Sequence, residues 1–220
     1  HKEKTASFNV NTALQIFKCF GFGAGGNSAS FLMRIENIPF PEAVRRLAER
    51  GHVPLPESET PEDKERKRLL QICETVASLY TRSLNSSPAA QPARDYLARR
   101  SLSAEIIAKF RLGWSNGNEV FDAKIHPALL DRAGITSPGQ IGRPYDRMRN
   151  RLVIPIMDET GRVIGFGGRT LDPNAQPKYL NSPETPLFSK SRSLYTINLA
   201  KEGMRRTGKA ILVEGYFDAI

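Results

Sequence analysis

Two short runs rich in β-branched residues limit the possible folds of this chain more than any other feature. They cover residues 151–157 and 162–166, and the turn-forming residues 158–161 separate them. Valine and isoleucine favour the pleated surface of a sheet, and a short polar connection allows two such runs to pair directly. The pattern therefore predicts a β-hairpin in the second half of the chain.

The segments around this hairpin predict helices and one further strand. Helical patterns cover residues 39–50, 62–84, 92–100, 103–110 and 194–204. Residues 209–213 are instead a continuous apolar run, which is typical of a strand that is buried on both faces of a parallel sheet.

The first 36 residues indicate a small β module. Residues 7–10 and 15–20 alternate apolar and polar side chains, which predicts two short strands. The glycine-rich residues 21–26 predict a turn, and Asn27 or Ser28 is suited to cap a short helix after it.

The charge of the chain favours a polyanionic partner. Lys and Arg number 32 against 23 Asp and Glu, which gives a net charge of +9. The two cysteines, Cys19 and Cys73, do not suggest a disulfide framework, so a reducing cytoplasm is the expected compartment. No apolar stretch of about 18 residues and no signal peptide are visible, so we expect no membrane segment.

Much of the positive charge lies in residues 143–192. This stretch holds nine Lys and Arg against five Asp and Glu, and aromatic side chains interleave with them. Basic groups bind phosphates, and aromatic faces stack on bases, so the composition indicates either a nucleic-acid surface or an ordinary solvated one. The aromatic residues are Tyr145, Phe166, Tyr179 and Phe188.

Four segments stand out by their order and spacing: RNRLVIPI from Arg149, GRVIGFGGR from Gly161, PKYLNSPETPLFSKSRSLY from Pro177 and VEGYFDAI from Val213. In both respects they are similar to bacterial DnaG-type DNA primases, which the chain resembles over nearly its whole length. KYLNSPET followed by Phe-x-Lys-x-Arg is the most specific part. Upstream, YLARRSLSAEIIAKFRLGW resembles the opening of the polymerase domain, with Ser101 in place of a common glycine.

This resemblance implies a basic ridge that holds template DNA, the growing RNA and the incoming nucleotide. Within it, GFGGR would form a turn closed by Arg169, whose glycines let the backbone turn sharply or approach a ligand. The residues carried over to the ridge are Arg149, Arg151, Arg169, Lys178, Tyr179, Asn181, Lys190 and Arg192.

The resemblance also implies that residues 208–220 begin a Toprim domain. Glu214 would stand at the end of its first strand, with Asp218 near the same site. Both carboxylates suit Mg²⁺ or Mn²⁺, which prefer hard oxygen ligands. Glu214 could instead act as a general base, and a glutamate after a strand is also common as a plain turn residue or ion-pair partner.

The first 27 residues resemble the zinc-binding domain of the same family. His1 and Cys19 match two of the four ligands, and the resemblance places a first cysteine just upstream of this chain. Phe22 occupies the position of the last cysteine, and a phenylalanine side chain cannot bind zinc. The alternatives are a zinc ribbon and a small glycine-rich β module without the ion.

These observations predict an α+β chain with four parts. Residues 1–51 form a zinc-ribbon-like, DNA-binding module, and residues 52–91 a linker and helix. Residues 92–207 form the basic N-terminal subdomain of a mixed α/β RNA polymerase core, and residues 208–220 begin the Toprim α/β fold. Because the chain starts without methionine and stops inside an apolar run, we expect both ends to lie within a longer protein.

The function implied by the resemblance is synthesis of short RNA primers on single-stranded DNA by metal-assisted nucleotidyl transfer. The expected partners are a DNA template, nucleoside triphosphates, the RNA primer and a replicative helicase that binds a more C-terminal domain. One alternative is a paralogue or fragment that binds nucleic acid without catalysis. The other is a different Toprim enzyme, such as a topoisomerase or a primase–helicase fusion.

Overall fold

A computed structural model of the chain describes residues 7–55, 60–139 and 142–220. The chain divides into two compact units between residues 58 and 59. His1, one of the two predicted zinc ligands, lies outside the described residues.

The first unit is a three-stranded antiparallel sheet followed by two helices. The strands lie in the order β1-β2-β3, and the aromatic rings of Phe8 and Phe31 both contact that of Phe17, with centroids 5.9 and 5.2 Å from it. These rings form an apolar centre between the sheet and the first helix. The elements are β1 (Phe8–Asn11), β2 (Ile16–Cys19), β3 (Ala24–Asn27), α1 (Ser28–Glu36) and α2 (Phe40–Gly51).

The glycine-rich segment of this unit is more ordered than the predicted turn over residues 21–26. Its second half forms β3, in which Gly25 lies opposite Lys18 on β2. A Cβ atom at Gly25 would lie 3.1 Å from the carbonyl oxygen of Phe17, so the small residue permits this close pairing. The predicted cap is confirmed, since the Asn27 side chain accepts the backbone N–H of Ser30.

The second unit combines a four-stranded antiparallel sheet with helices and two short 3-10 turns. Its sheet order is β4-β7-β8-β9, and β5 and β6 form a separate pair. The elements are α3 (Pro61–Ser86), α4 (Gln91–Arg99), α5 (Ala104–Lys109), β4 (Gly113–Ser115), α6 (Glu119–Asp122), α7 (Pro127–Arg132), β5 (Thr136–Ser137), β6 (Tyr145–Asp146), β7 (Arg151–Met157), β8 (Val163–Thr170), β9 (Tyr179–Asn181), α8 (Ile197–Thr207) and α9 (Tyr216–Ala219), with the turns at Pro88–Ala90 and Lys190–Arg192.

The long helix α3 packs against the sheet and supplies much of the main core of this unit. The side chains of Thr60 and Asp63 cap its first turn reciprocally, and its apolar face is buried in the main core. Tyr80 of α3 packs so closely on β4 that a Cβ at Gly113 would lie 2.6 Å from the Tyr80 Cβ. The sheet is therefore held against one face of α3.

The predicted hairpin is confirmed as β7 and β8, but the second strand is longer than the pattern indicated. It continues to Thr170 and includes the GFGGR segment, which was wrongly predicted as a turn. Glycines occur in this extended segment because neighbouring side chains leave no space for a Cβ atom at positions 167 and 168. A Cβ at Gly168 would lie 2.6 Å from the sulfur of Met148.

The prediction of a buried strand over residues 209–213 is wrong for this structure. The segment is irregular, and the Ile211 and Leu212 side chains are 92% and 83% exposed. A strand forms by pairing with a neighbouring strand, and none of the strands in the described part of the chain pairs with this segment. Among these same residues, no helix has both the length and the apolar character needed to cross a bilayer.

A buried carboxylate joins α3, β4 and β6. Asp146 is fully buried and accepts hydrogen bonds from the Tyr80 hydroxyl at 2.9 Å, the Ser115 hydroxyl at 2.6 Å and the Met148 N–H at 2.7 Å. Burial raises the pKa of the Asp146 carboxyl, although these hydrogen bonds oppose the shift. The network fixes the start of the basic segment that leads into β7.

We expect Asp146 to make stability depend on pH. Because its folded pKa is raised, its contribution is fully present below the pKa of the unfolded chain and is lost as pH rises through the folded value. The free energy of unfolding of the Asp146→Asn variant should therefore rise relative to that of the unchanged protein between about pH 4 and pH 7. Urea unfolding at both pH values measures this, and a difference independent of pH would contradict it.

Candidate nucleic-acid interface

Arg169 lies between two aromatic rings on the β8–β9 face. It is directly opposite Tyr179 in the strand register, and its guanidinium carbon lies 4.0 Å from the ring centroid of Tyr96 and 5.9 Å from that of Tyr179. The Tyr179 side chain is 39% exposed. A cation close to aromatic rings is favourable, and both groups can meet the phosphates and bases of a single strand.

The residue that caps the C-terminus of α4 adds a second arginine to this surface. The Arg100 guanidinium lies 5.2 Å from the Tyr96 centroid and 5.0 Å from that of Phe217. We call Tyr96, Arg100, Arg169 and Tyr179 the aromatic–arginine cluster. Sequence reasoning missed Tyr96 and Arg100, although their spacing of four residues on a predicted helix places them on one face.

Two polar atoms of this cluster, the Arg169 Nε and the Tyr96 hydroxyl oxygen, are buried without a hydrogen-bond partner among the described residues. Both atoms are inaccessible to bulk water. A buried donor of this kind carries a desolvation cost unless another group satisfies it. The cluster therefore has spare hydrogen-bonding capacity as well as charge.

The structure does not bring Arg151 to the surface, where the ridge prediction placed it. Its guanidinium is buried, and Nη1 donates to the carbonyl oxygen of Pro177 at 2.9 Å and approaches those of Gly168 and Lys178 at 3.5 Å. Burial lowers the pKa of this group. Arg151 thus ties β7 to β8 and to the chain that leads into β9, because Gly168 lies on β8 while Pro177 and Lys178 directly precede β9.

The remaining predicted basic residues are exposed. Arg149 stacks over the Tyr145 ring at 4.5 Å, and Lys178 directly precedes Tyr179. Lys190 and Arg192 lie on the second 3-10 turn, where the Glu184 carboxylate accepts the Lys190 N–H at 2.7 Å. That hydrogen bond, followed by contributions from Ser189 and Arg192, lowers the pKa of Glu184. A carboxylate therefore partly offsets the positive charge of this turn.

Asn181 contacts a tyrosine from the end of the chain. Its Oδ1 atom accepts the hydroxyl of Tyr216 at 2.7 Å, and the Tyr195 ring packs edge-on to that of Tyr216 with centroids 4.8 Å apart. Burial raises the pKa of the Tyr216 hydroxyl to about 12, so it stays protonated and able to donate at neutral pH. The short helix α9 is thereby fixed on the β8–β9 face.

The two predicted catalytic carboxylates lie on either side of Tyr216. Glu214 is exposed in a bend before α9, and Asp218 is exposed within α9, where its Oδ2 accepts the Gly215 N–H at 3.1 Å. Because Cα atoms are at most about 3.8 Å apart per residue, both lie within about 8 Å of the Tyr216 Cα. The structure therefore brings them to the neighbourhood of the β8–β9 face.

The oxygen ligands of these carboxylates suit a divalent cation, but two carboxylates are too few to form a complete metal site. Two hard oxygen donors suit Mg²⁺, which commonly takes few protein ligands and keeps several waters. Within residues 7–55, 60–139 and 142–220, no group of three or more His, Cys, Asp and Glu side chains is arranged to hold a metal ion. The pair would thus supply part of a site.

The described residues of the first unit do not form a zinc site. Cys19 is buried, and its sulfur lies 3.8 Å from the Ser7 hydroxyl oxygen. Phe22 is 70% exposed where the resemblance places another ligand. A structural zinc site needs four donors, and this region supplies one thiol.

Comparisons with known proteins match both units. The family model "DNA primase catalytic core, N-terminal domain" matches residues 79–201, and the model "CHC2 zinc finger" matches residues 1–63. The second match indicates that the zinc-ribbon relationship extends over the first unit even though Phe22 replaces a ligand.

Curated relatives match the entire chain. It is 44% identical to the DNA primase of Salmonella typhimurium and 41% identical to that of Escherichia coli K12, and in both cases the match covers 100% of this chain and 39% of the relative. The DNA primase of Pseudomonas aeruginosa is 39% identical, with 100% of this chain and 35% of the relative covered. The chain thus spans less than two fifths of the length of these relatives.

Solved structures agree with these matches. A DnaG primase catalytic domain bound to single-stranded DNA has a TM-score of 0.64 and 41% identity over 70% of this chain and 51% of its own. The zinc-binding and RNA polymerase domains of Aquifex aeolicus primase give 0.62 and 36% over 99% and 54%. The α+β fold class predicted from the sequence is confirmed. On the family-model match to more than half of its length, the chain belongs to the DnaG-type family of bacterial DNA primases.

Proposed function

We propose that this chain guides single-stranded DNA and nucleotides toward Glu214 during the synthesis of short RNA primers. The observation that carries the proposal is the aromatic–arginine cluster, which lies on the same strand pair that anchors the segment around Glu214. Solved relatives named for their binding of single-stranded and double-stranded DNA support a DNA partner.

The residues of the chain have separate tasks in this proposal. Arg169, Lys178 and Arg149 contact phosphates, while the Tyr179 ring offers a face for a base. Holding a template and a triphosphate in the correct geometry is a large part of what phosphoryl-type transfer requires. Lys190 and Arg192 extend the basic surface beyond the cluster.

Glu214 and Asp218 would hold Mg²⁺ or Mn²⁺ in this reaction. The chemistry that such an ion supplies is stabilisation of negative charge on the transferred phosphoryl group and the leaving pyrophosphate. Glu214 is the more available carboxylate of the pair, since it is exposed while Asp218 already accepts the Gly215 N–H. We propose no step that depends on zinc. Of the zinc ligands that the resemblance assigns to this chain, only Cys19 lies within the described residues.

The wider cellular setting follows from the same proposal. We place the protein in the cytoplasm at replicating DNA, with nucleoside triphosphates as substrates and an RNA primer as product. Contact with a replicative helicase and the domain boundaries at residues 51, 91 and 207 stay predictions.

Incubating the full-length gene product with single-stranded DNA, nucleoside triphosphates and Mg²⁺ tests this function. We expect short RNA products that require template, which a denaturing gel resolves. DNA binding without any RNA product would instead favour a non-catalytic nucleic-acid-binding paralogue. DNA relaxation without RNA synthesis would favour a topoisomerase.

A further inference from the structure

Tyr216 spans a single cross-strand pair of the β8–β9 face. Gly167 and Asn181 lie directly opposite each other in the register. The ring of Tyr216 covers Gly167, and its hydroxyl donates to the side chain of Asn181 at 2.7 Å. The Tyr216 side chain therefore contacts both strands, and we call the Gly167–Asn181 pair its seat.

The glycine at position 167 is explained by this seat. A Cβ atom there would lie 2.8 Å from two ring atoms of Tyr216, which is closer than real Cβ contacts come. Glycine inside a strand costs conformational entropy, so its use commonly marks a place where another group approaches the backbone. Here the approaching group comes from a residue 49 positions later in the chain.

The seat lies one step along the strands from the aromatic–arginine cluster. The next pair on the same face is Arg169 and Tyr179, and residues two apart in a strand are separated by about 7 Å. Glu214 and Asp218 each lie two residues from Tyr216. The position of its ring therefore sets how far both carboxylates are from the basic surface.

We infer that Tyr216 is a positioning residue, which places the carboxylates of Glu214 and Asp218 against the aromatic–arginine cluster through its seat on Gly167 and Asn181. This inference rests on the proposed function, because it assumes that these carboxylates serve nucleotidyl transfer. It gives Asn181 a role other than the predicted nucleotide contact, since its Oδ1 atom accepts the Tyr216 hydroxyl.

The Tyr216→Phe variant of the full-length gene product tests the hydrogen bond. It keeps the ring and removes one donor, so we expect kcat for primer synthesis to fall about tenfold while the Kd for template DNA changes less than about twofold. The half-saturating Mg²⁺ concentration should rise, because the carboxylates are less well placed. A purely structural role would not separate kcat and Mg²⁺ dependence from DNA affinity.

Tyr195→Phe is the matched control. Its hydroxyl is buried without a hydrogen-bond partner in the described residues, and its ring contacts that of Tyr216. Removing this hydroxyl deletes the same atom from the same aromatic group but breaks no hydrogen bond. We expect kcat and Mg²⁺ dependence to match those of the unchanged protein.

Gly167→Ala tests the seat for the ring. Its added methyl group displaces Tyr216, and because misplacement by about 1 Å can cost roughly a hundredfold in rate, we expect a larger loss of kcat than in Tyr216→Phe. Gly203→Ala is the control, since a Cβ there meets no atom of the described residues within 4 Å apart from the backbone and chain neighbours of its own helix. Circular dichroism of both variants checks that each one folds.

The outcomes separate this inference from the proposed function. If the unchanged protein makes no RNA, the proposed function fails and the inference fails with it. If the unchanged protein is active but Tyr216→Phe and Tyr195→Phe behave alike, the inference alone is overturned. Loss of template binding in parallel with kcat would also overturn it, because Tyr216 would then support the DNA surface and not the carboxylates.

Discussion

Replacing Glu214 with glutamine in the full-length gene product will reduce primer synthesis by roughly a thousandfold. The variant keeps the size of the side chain but loses the negative charge that makes carboxylate oxygens good ligands for Mg²⁺. Metal stabilisation of a phosphoryl transition state is worth several kcal/mol, and about 4 kcal/mol corresponds to this loss of rate. Primer synthesis at saturating template and nucleotide measures the effect.

Template binding is the control measurement for this variant. Glu214 is exposed and lies outside the aromatic–arginine cluster, so the Kd for single-stranded DNA should stay within about twofold or tighten slightly as a negative charge is removed. Glu202→Gln removes the same charge from the exposed surface of α8 and should retain full activity. Undiminished synthesis by Glu214→Gln would remove Glu214 from the catalytic assignment.

Replacing Arg169 with alanine will weaken binding of single-stranded DNA about tenfold or more. A charge-assisted hydrogen bond to phosphate contributes roughly 1.5–3 kcal/mol, and the stacking of Arg169 on Tyr96 at 4.0 Å fixes the guanidinium for that contact. Loss of one phosphate contact should also reduce the slope of log K against log salt by about 0.7. Fluorescence anisotropy with a labelled oligonucleotide at several salt concentrations gives both values.

Two further variants distinguish this contact from a general effect of charge. Arg205→Ala removes an equal charge from the exposed end of α8 and should change affinity much less. Arg169→Lys keeps the charge but loses the planar group that stacks on Tyr96, so an intermediate affinity is expected. Equal effects of Arg169→Ala and Arg205→Ala, with the same salt slope, would show that the cluster does not bind DNA specifically.

Elements that depend on local sequence could be predicted well. The β7–β8 hairpin, α3 and the Asn27 cap follow from patterns within about 25 residues, because propensity, periodicity and capping act over short distances. The third strand of the first unit was missed since glycine weakens the pattern for a strand. Only its pairing with β2 explains it.

Features set by distant residues could not be predicted in the same way. The GFGGR segment was interpreted as a turn because the reason for its glycines lies in Met148 and Tyr216, which the local sequence does not indicate. Arg151 was placed on the ridge because sequence does not show which carbonyl oxygens surround a guanidinium. Apolar composition alone predicted a buried strand over residues 209–213, although no described strand pairs with it.

In the candidate site, too, some residues could be identified from the sequence and others only from the fold. The family resemblance identified Arg169, Tyr179 and Glu214, and the structure brings the first two together by strand register. Tyr96 on α4 and Arg100 at its C-terminal cap lie more than 60 residues earlier, so only the fold shows that they contribute to the surface. The seat of Tyr216 on Gly167 and Asn181 likewise joins segments that are separate in sequence.

Photo-cross-linking from the 3′ end of a bound primer tests the central claim most directly. A 4-thiouridine at that end, on a primer annealed to a DNA template, reports which residues lie beside the reacting hydroxyl in the full-length gene product. If the β8–β9 face delivers nucleic acid to Glu214, cross-links will fall within residues 214–218 and at Tyr179. Efficient cross-linking confined to other segments, with template affinity unchanged, would contradict the account.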